Sequence, residues 1–478
     1  MLSFLKTNKI PLLFILFSAG FYWSFAYDLE RFDFAKLTGL YGVLCFFAYK
    51  IIQQLKWNFK FLVGAALVLR LVFIIAIPDL SQDFYRFIWD GRLLLNGINP
   101  YLFTPDQLVQ NAAPPIAQAS QLLKGMGILS AGHYSNYPPI NQLFFTLAAL
   151  LGGKSILGSV IGLRLIIIAA DLGILYFGTK LLKKLELSTH RIFWYLLNPF
   201  IIIELTGNLH FEGVMLFFVI WALYSLARKR FVLAAVLLGI SVSVKLLPLL
   251  FLPVLWQYLI KDYKTDQKLP EILQPLLSQQ WKKGLLRQFI FFFVALVTVI
   301  LTFLPFLSTE FIANFMATIN LWFQKFEFNA SVFYIIRWVG FQVKGWNIIQ
   351  GVGEVLPFII LGLILLISFF RKNSNLKQLI TGMLFAICLY FLGSTTVHPW
   401  YVATPLVLCI FTRYRFPLLW GVMVFLSYSA YGENGVDENL WLVALEYVTV
   451  IGYAGWEIGK SWKEHGLSGQ FRLQDSEF

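Results

Sequence analysis

The stretch from residue 61 to residue 101, "FLVGAALVLRLVFIIAIPDLSQDFYRFIWDGRLLLNGINPY", joins two different kinds of sequence. Its first part is apolar enough to cross a lipid bilayer as a helix. From Pro78 onward, aspartates, arginines and aromatic residues are concentrated in a short window that ends in Asn-Pro-Tyr. Such polar backbone is stable only where it leaves the hydrocarbon or lines a wet cavity. The stretch therefore predicts a membrane span that opens into a structured polar loop.

The composition of the whole chain supports this interpretation. The 478 residues are 58% hydrophobic and 18% aromatic, with only 13% charged, which is outside the usage of soluble globular proteins. We expect an all-α, polytopic transmembrane helical protein with about 12–14 spans. The predicted spans are 10–27, 37–55, 61–77, 155–179, 192–206, 213–227, 231–245, 248–260, 288–307, 353–370, 378–396, 400–412, 416–430 and 440–459.

The distribution of charge argues against nucleic acid as the partner of this chain. Its net charge of +13 comes from short clusters of Lys and Arg beside apolar runs, which is the positive-inside pattern of membrane proteins. With these clusters on the cytoplasmic side, an alternating set of segments lies outside. The predicted outer segments are 28–36, 78–138, 207–212, a turn near 245–248, 308–350, 396–399 and 431–439.

Three parts of the chain follow from this topology. Residues 1–60 are predicted to form N-terminal transmembrane helices, and 413–478 C-terminal helices and a cytoplasmic tail. Residues 61–412 form the core, with an outer loop at 78–138, a basic cytoplasmic loop at 261–287 and an outer loop at 308–350. Segment 140–153 is interpreted as a partial helix that leads into the next span.

The N-terminal apolar run is interpreted as a retained helix, because no small-residue cleavage site follows it. The three cysteines lie in apolar runs without paired spacing, so neither a disulfide framework nor a zinc site is predicted.

Most of the unusual polar residues fall on the predicted outer side, which indicates a reaction centre there. From Asp83 onward the apolar residues recur at helical spacing, as in a helix that lies along the membrane interface. A carboxylate at such a position can accept a proton from a hydroxyl group; alternatively, Asp83 caps this helix. Lys245 lies inside the apolar run "VLLGISVSVKLLPLLFLPVL", where a lysine is either functional or reaches toward the interface. Arg164 and Asp171 are expected to form an internal ion pair.

Several motifs resemble a known superfamily. "DFYRFIWDGRLLLNGINPY", followed by "NYPPINQLFF", resembles the first external loop of GT-C membrane glycosyltransferases that use polyprenyl-phosphate sugars. The bacterial polyprenol-phosphate-mannose-dependent α-mannosyltransferases are the most similar, and the catalytic subunit of the glycosylphosphatidylinositol mannosyltransferase shows a looser version. "NPFIIIELTGNLHFEGVMLFF", "GISVSVKLLPLLFLPVL" and "HPWYVATPLVL" follow in the order of that family. The resemblance covers about residues 60 to 412.

The resemblance implies transfer of a sugar, most simply mannose, from a polyprenyl-phosphate donor to an acceptor hydroxyl on a glycan or glycolipid, with inversion. Asp83 matches the family's catalytic aspartate, although Gln82 stands where relatives often carry a second acid, so Asp79 is the alternative base. Candidates for holding the donor phosphate are Lys245, His398 and Arg92. Candidates for binding the substrates are Asp79, Asp90, Asn208, His210, Glu212, Trp400 and Tyr401. No cofactor and no metal are expected, because cations can hold a single lipid phosphate.

Other functions remain open at this point. A lipid or glycolipid transporter would also be polytopic with buried charges, although internal repeats are then expected and none is visible. A structural subunit of a membrane complex would need neither the acid nor the lysine. Within the enzyme class, the sugar could be arabinose or glucose, and the acceptor a protein. The expected location is a bacterial inner membrane rather than the endoplasmic reticulum, with the active site on the outer face.

Overall fold

The computed structural model describes residues 8–56, 58–111, 116–261, 279–433 and 435–465. The described chain is built almost entirely of helices. The α-helices are Lys9–Tyr27, Phe34–Gln54, Phe59–Leu71, Asp83–Leu95, Pro105–Asn111, Ala119–Ala131, Pro139–Gly152, Ile156–Lys184, Phe193–Leu196, Pro199–Ile201, Glu212–Ala227, Phe231–Val244, Trp256–Ile260, Gln279–Phe303, Thr309–Gln324, Val332–Lys344, Ile349–Phe370, Leu376–Gly393, Ala403–Cys409, Phe416–Met423 and Leu440–His465.

Short irregular elements connect these helices. The 3₁₀ helices are Thr189–Ile192, Leu247–Phe251, Pro253–Leu255, Leu304–Phe306, Pro399–Val402 and Val424–Ala430, and Ile202–Gly207 is a π-helix. Two strands, Tyr431–Gly432 and Gly435–Val436, pair antiparallel. Of the predicted basic loop 261–287, residues 262–278 lie outside the described part, and so do residues 466–478 of the predicted tail.

The prediction of an all-α polytopic membrane protein is confirmed. In the described ranges, six helices are long and apolar enough to cross a membrane, or seven if a pair bent by 115° forms one span. The six are Lys9–Tyr27, Phe34–Gln54, Ile156–Lys184, Lys282–Phe306, Ile349–Phe370 and Leu376–Gly393. Five of the shorter helical segments are also apolar: Pro139–Gly152, Phe231–Val244, Leu247–Ile260, Pro399–Cys409 and Phe416–Ala430. Helix length alone therefore leaves the predicted number of 12–14 spans untested.

Segment 140–153 does not continue into the following span. Helix Pro139–Gly152 ends at Gly153, which has a φ of +55°, and helix Ile156–Lys184 folds back along it. Glycines allow the close approach: a Cβ on Gly152 would lie 2.2 Å from the backbone nitrogen of Ser159, and one on Gly162 3.0 Å from the Cα of Ala148. The two segments thus form a tight helical hairpin, which hydrophobicity alone could not distinguish from one bent helix.

The expected ion pair between Arg164 and Asp171 is wrong. Asp171 instead pairs with Arg70, whose Nε lies 2.7 Å from its Oδ2, and both side chains are 2% exposed. Arg164 donates to the carbonyl oxygens of Thr206 and Gly207, at 2.8 and 3.0 Å. These carbonyls end the π-helix Ile202–Gly207, where regular i→i+4 bonding stops and leaves acceptors unpaired. Arg164 therefore holds the turn that precedes helix Glu212–Ala227.

Candidate active site

Asp83 and His210 meet although they lie on different elements. Asp83 begins helix Asp83–Leu95, and His210 lies in the turn between the π-helix and helix Glu212–Ala227. The Oδ2 of Asp83 is 3.8 Å from the Nε2 of His210, and the Asp83 side chain is 36% exposed. The N-cap of the helix is Gln82, which makes no side-chain capping bond. A carboxylate beside a buried imidazole and partly open to solvent is suited to proton transfer.

A backbone oxygen and a serine hydroxyl fix the orientation of His210. The Nδ1 of His210 donates to the backbone oxygen of Glu204 at 2.9 Å, and Nε2 lies 3.2 Å from the hydroxyl of Ser81. The Glu204 side chain is fully buried and accepts hydrogen bonds from Tyr428, at 2.7 Å, and Asn208, at 3.2 Å. Bonds on both ring nitrogens leave the imidazole little freedom to rotate. The ring is therefore held in position beside Asp83.

Lys245 forms an ion pair with Glu212. Its Nζ contacts the Oε1 of Glu212, which is fully buried, whereas the lysine side chain is 18% exposed. Lys245 has extended backbone dihedral angles and ends helix Phe231–Val244, before the 3₁₀ helix that contains Pro248. The predicted break near 245–248 is thus present. The pair explains how a lysine is tolerated within this apolar run, because its charge is compensated rather than left alone in low dielectric.

A stack of aromatic rings lies between the Asp83–His210 contact and the Lys245–Glu212 ion pair. The Trp400 ring stacks with the ring of His210, at 3.7 Å between centroids, and with the ring of His398, at 4.5 Å. Tyr401 packs against His398 at 5.4 Å, and its ring lies 6.0 Å from the Nζ of Lys245. The structure therefore brings together six of the predicted residues with Asp83. These six are His210, Glu212, Lys245, His398, Trp400 and Tyr401.

His398 is held neutral in an aromatic environment. Burial lowers the pKa of His398 to about 3, and electrostatic interactions with His210, Arg31 and Lys245 act in the same direction. Its Nδ1 is buried and has no hydrogen-bond partner among the described residues; the same holds for the Oε2 of Glu212. Buried polar atoms are rarely left unpaired in proteins, so these two atoms are candidates for contact with a polar ligand. As a neutral ring, His398 can contact a ligand through an N–H donor.

A short backbone pairing positions the segment that carries His398. Phe328 donates its N–H to the carbonyl of Thr395 at 3.1 Å, and Val397 donates to the carbonyl of Phe328 at 2.8 Å. Asn329, the next residue, is fully buried and donates its backbone N–H to Glu438 at 2.6 Å. The chain between the two predicted outer helices Thr309–Gln324 and Val332–Lys344 therefore supports one wall of the site.

Three predicted site residues lie outside this cluster or on its edge. Asp90 is fully buried and accepts hydrogen bonds from Arg86, Ser135 and Gln142, at 2.8, 2.6 and 2.9 Å. Arg92 is 4% exposed and donates to the carbonyl of Ala117 at 2.6 Å. These bonds tie the helix to the rest of the outer loop, although the Nε of Arg92 has no hydrogen-bond partner among the described residues. Asp79 lies in the loop before the helix, where partial burial and the Glu30 carboxylate raise its pKa.

Two side chains of the site were not predicted from the sequence. Glu204 stands in "NPFIIIELTGNLH", where a single charge within an apolar run does not indicate which residue it contacts. Ser81 precedes Asp83 by two residues and gives no signal in the sequence, because serine is common in loops. In the described residues no group of three or more His, Cys, Asp or Glu side chains could hold a metal ion; independence of metal stays a prediction.

Comparison with known proteins supports the same class as the motifs. Residues 37–261 match the family model for the alpha-(1->6)-mannopyranosyltransferase N-terminal domain. This segment includes Asp83, Glu204, His210, Glu212 and Lys245. The resemblance to bacterial GT-C mannosyltransferases, read from the motifs, is thereby confirmed.

Individual relatives are similar over longer stretches. The chain is 23% identical to alpha-(1->6)-mannopyranosyltransferase A of Mycobacterium tuberculosis, over 70% of this chain and 61% of that protein. It is 23% identical to the A enzyme of Corynebacterium glutamicum, over 71% of this chain and 68% of that protein. The B enzyme of Corynebacterium glutamicum is 26% identical over 30% of this chain and 23% of its own length. The chain thus spans less than two thirds of the length of the Mycobacterium relative.

Proposed function

We propose that this protein is a membrane mannosyltransferase that transfers mannose from a polyprenyl-phosphate donor to a hydroxyl of a glycan or glycolipid. The observation that carries the proposal is the convergence of Asp83 and His210 with the Lys245–Glu212 pair around Trp400 and Tyr401. The relatives matched over the same segment are named mannopyranosyltransferases.

The proposed reaction assigns a separate task to each side of the cluster. The acceptor oxygen attacks the anomeric carbon of mannose while Asp83 takes its proton. The bond between that carbon and the phosphate oxygen breaks, and its electron pair leaves with the polyprenyl phosphate. Attack from the opposite face inverts the anomeric centre. Only Asp83 in this group is a carboxylate that is partly open to solvent, whereas Glu204 and Glu212 are fully buried and engaged.

Lys245 and His398 are proposed to contact the departing phosphate. Negative charge grows on the phosphate as the sugar leaves, so preorganised donors in a desolvated site lower the barrier. The space between the proposed base and the phosphate is lined by His210, Asn208, Trp400 and Tyr401. Asp79 remains the alternative base, because it precedes the same helix.

The site is proposed to face the outside of a bacterial inner membrane. The support is the positive-inside distribution of Lys and Arg, which leaves the loop 78–138 on the outer side. Single cysteines in a cysteine-free background test this orientation. A cysteine at Asp106 should react with a membrane-impermeant maleimide in intact cells, and one at Lys183 should not; the opposite pattern would place the site in the cytoplasm.

The acceptor and the sugar are tested by comparing cells with and without the gene. Mass spectrometry of lipid-linked glycans and surface glycans should show loss of a hexose from one glycan species in the deletion strain. Expression of the wild-type protein should restore it, and the Asp83→Asn variant should not. Loss of a pentose instead would assign another donor sugar, and an unchanged glycan profile would contradict the proposal.

A further inference from the structure

Arg31 is a cation near the site that has no role in the proposed reaction described above. It lies between helices Lys9–Tyr27 and Phe34–Gln54, in the predicted outer segment 28–36. Its guanidinium carbon lies 3.3 Å from the centroid of the Tyr431 ring. Its Nε is buried and has no hydrogen-bond partner in the described part of the chain. The side chain is thus held in place by an aromatic ring while its donors stay available.

The other cations near the site are already engaged by the protein. Lys245 is paired with Glu212, and Arg92 donates to the carbonyl of Ala117. Arg86 pairs with Asp90 at 2.8 Å, and His398 is neutral. Arg31 also makes no ion pair within 4.0 Å of a carboxylate in the described ranges, and unlike Arg92 it donates no hydrogen bond to a carbonyl there. A site that stabilises a phosphate in low dielectric needs at least one charge that is not already compensated.

Arg31 is connected to the site through aromatic contacts. The Tyr431 ring beneath it lies 5.7 Å from the ring of Phe328, which stacks with His398 at 5.3 Å. Tyr431 also packs at 5.8 Å against Tyr428, whose hydroxyl donates to Glu204. Burial raises the pKa of Tyr431 to about 12, Arg31 opposes that rise and Asp83 adds to it. The charges of Arg31 and Asp83 therefore both act on one tyrosine.

We propose that Arg31 binds the phosphate group of the lipid-linked donor. The inference rests on the proposed function, since it assigns a further binding residue to the same site. A guanidinium offers donors in a planar arrangement that matches two phosphate oxygens, which a lysine ammonium does not. Stacking on Tyr431 orients that plane before the ligand arrives, so less side-chain entropy is lost on binding. Lys245 and His398 then act from the other side of the same group.

The test measures binding of two probes to the purified full-length protein in nanodiscs. One probe is a polyprenyl phosphate and the other is the uncharged polyprenol of equal length. We expect wild type to bind the phosphate at least tenfold more tightly than the alcohol. Arg31→Gln should lose most of that preference without changing its affinity for the alcohol, and Arg31→Lys should retain part of it. Lys36→Gln is the matched control, because Lys36 is a cation close in sequence that pairs with Asp28 on the surface.

Each outcome separates the inference from the proposed function. If wild type prefers the phosphate and Arg31→Gln binds it equally well, the role of Arg31 is overturned while the donor class stands. If wild type binds phosphate and alcohol alike, the polyprenyl-phosphate donor itself is contradicted. Thermal unfolding of each variant shows whether it is folded. Should Arg31→Gln not fold, Arg31→Lys decides: phosphate affinity within twofold of wild type overturns the inference, and a larger loss with unchanged alcohol affinity supports it.

Discussion

His210 lies between two carboxylate side chains, with its Nε2 3.8 Å from Asp83 and its Nδ1 3.5 Å from Glu204. Glu204 is fully buried and bonded to Tyr428 and Asn208, whereas Asp83 is partly exposed. The backbone oxygen of Glu204 accepts from the imidazole on the buried side, next to the Glu204 carboxylate, whereas the Asp83 carboxylate is partly open to solvent. This asymmetry supports the proposal that Asp83 accepts the proton, with Glu204 as a positioning residue.

Replacement of the proposed base should abolish most activity. Asp83→Asn keeps the size of the side chain but cannot accept the proton, so turnover should fall by about 100-fold or more. Asp79→Asn is the matched control, since it removes a carboxylate from the loop just before the same helix, and it should cost far less. Initial rates of purified variants with equal thermal stability measure both effects. Full activity of Asp83→Asn together with an inactive Asp79→Asn would move the role to Asp79.

Substitutions in the Lys245–Glu212 pair should have non-additive effects on stability. Lys245→Gln leaves the fully buried Glu212 without its partner, and breaking a buried pair costs roughly 3 kcal/mol of stability. Adding Glu212→Gln removes the stranded charge, so the double variant should regain most of that stability. It should nevertheless remain slow in transfer, because the cation that faces the phosphate is still missing. Thermal unfolding and initial rates on the three variants separate these effects.

Lys245→Arg provides the complementary comparison. The charge is kept, so stability should stay near that of wild type, but the planar guanidinium presents it in another geometry and should restore transfer only in part. Normal transfer rates in the double variant Lys245→Gln/Glu212→Gln would show that Lys245 acts only in folding.

Acid should destabilise the fold in part through His398. Its pKa in the folded protein, about 3, lies below the ordinary value of 6.5. Between these pH values the unfolded chain binds a proton that the folded one does not, so stability falls as pH drops through this window. His133, whose pKa burial and Arg86 lower to about 4, contributes in the same direction. His398→Gln should therefore flatten the dependence of the unfolding temperature on pH between about 6.5 and 4; an unchanged slope would contradict the buried neutral ring.

Replacement of Asn329 should destabilise the protein, more with alanine than with glycine. Its side-chain amide donates to Glu446 at 3.3 Å, and its backbone has a φ of +46°, which disfavours most residues. Asn329→Ala loses the bond and adds strain of about 1–2 kcal/mol, whereas Asn329→Gly loses only the bond. The unfolding temperature should fall more for alanine than for glycine, and equal losses would exclude backbone strain as a cause. Because Asn329 is fully buried, the Asn329-Ala330-Ser331 sequon should carry no glycan.

The sequence predicted those features that depend on local signals. The helix that begins at Asp83, the turn at 207–212 and the break after Lys245 all follow from residue spacing, proline positions or isolated charges in apolar runs. These signals act over a few residues, and packing did not override them.

Long-range pairing could not be predicted in the same way. The sequence paired Asp171 with Arg164, seven residues away, and only the packing of the helices brings Arg70 to it instead. The structural role of Asp90 could not be predicted for the same reason, because Ser135 contacts it from the far end of the loop and Gln142 from helix Pro139–Gly152. Arg31 lay outside every motif, since its position near the site depends on Tyr431 at the other end of the chain.

The central claim is that the protein cleaves a sugar–phosphate bond by means of Asp83, and one assay tests it most directly. Purified wild-type protein in nanodiscs is mixed with synthetic polyprenyl-phosphate-mannose and a membrane extract as acceptor, with EDTA present throughout. We expect release of polyprenyl phosphate and appearance of a mannosylated product, both dependent on acceptor and both reduced about 100-fold or more by Asp83→Asn. Movement of the donor between leaflets without any cleavage, whichever acceptor is supplied, would contradict the account and identify a lipid transporter instead.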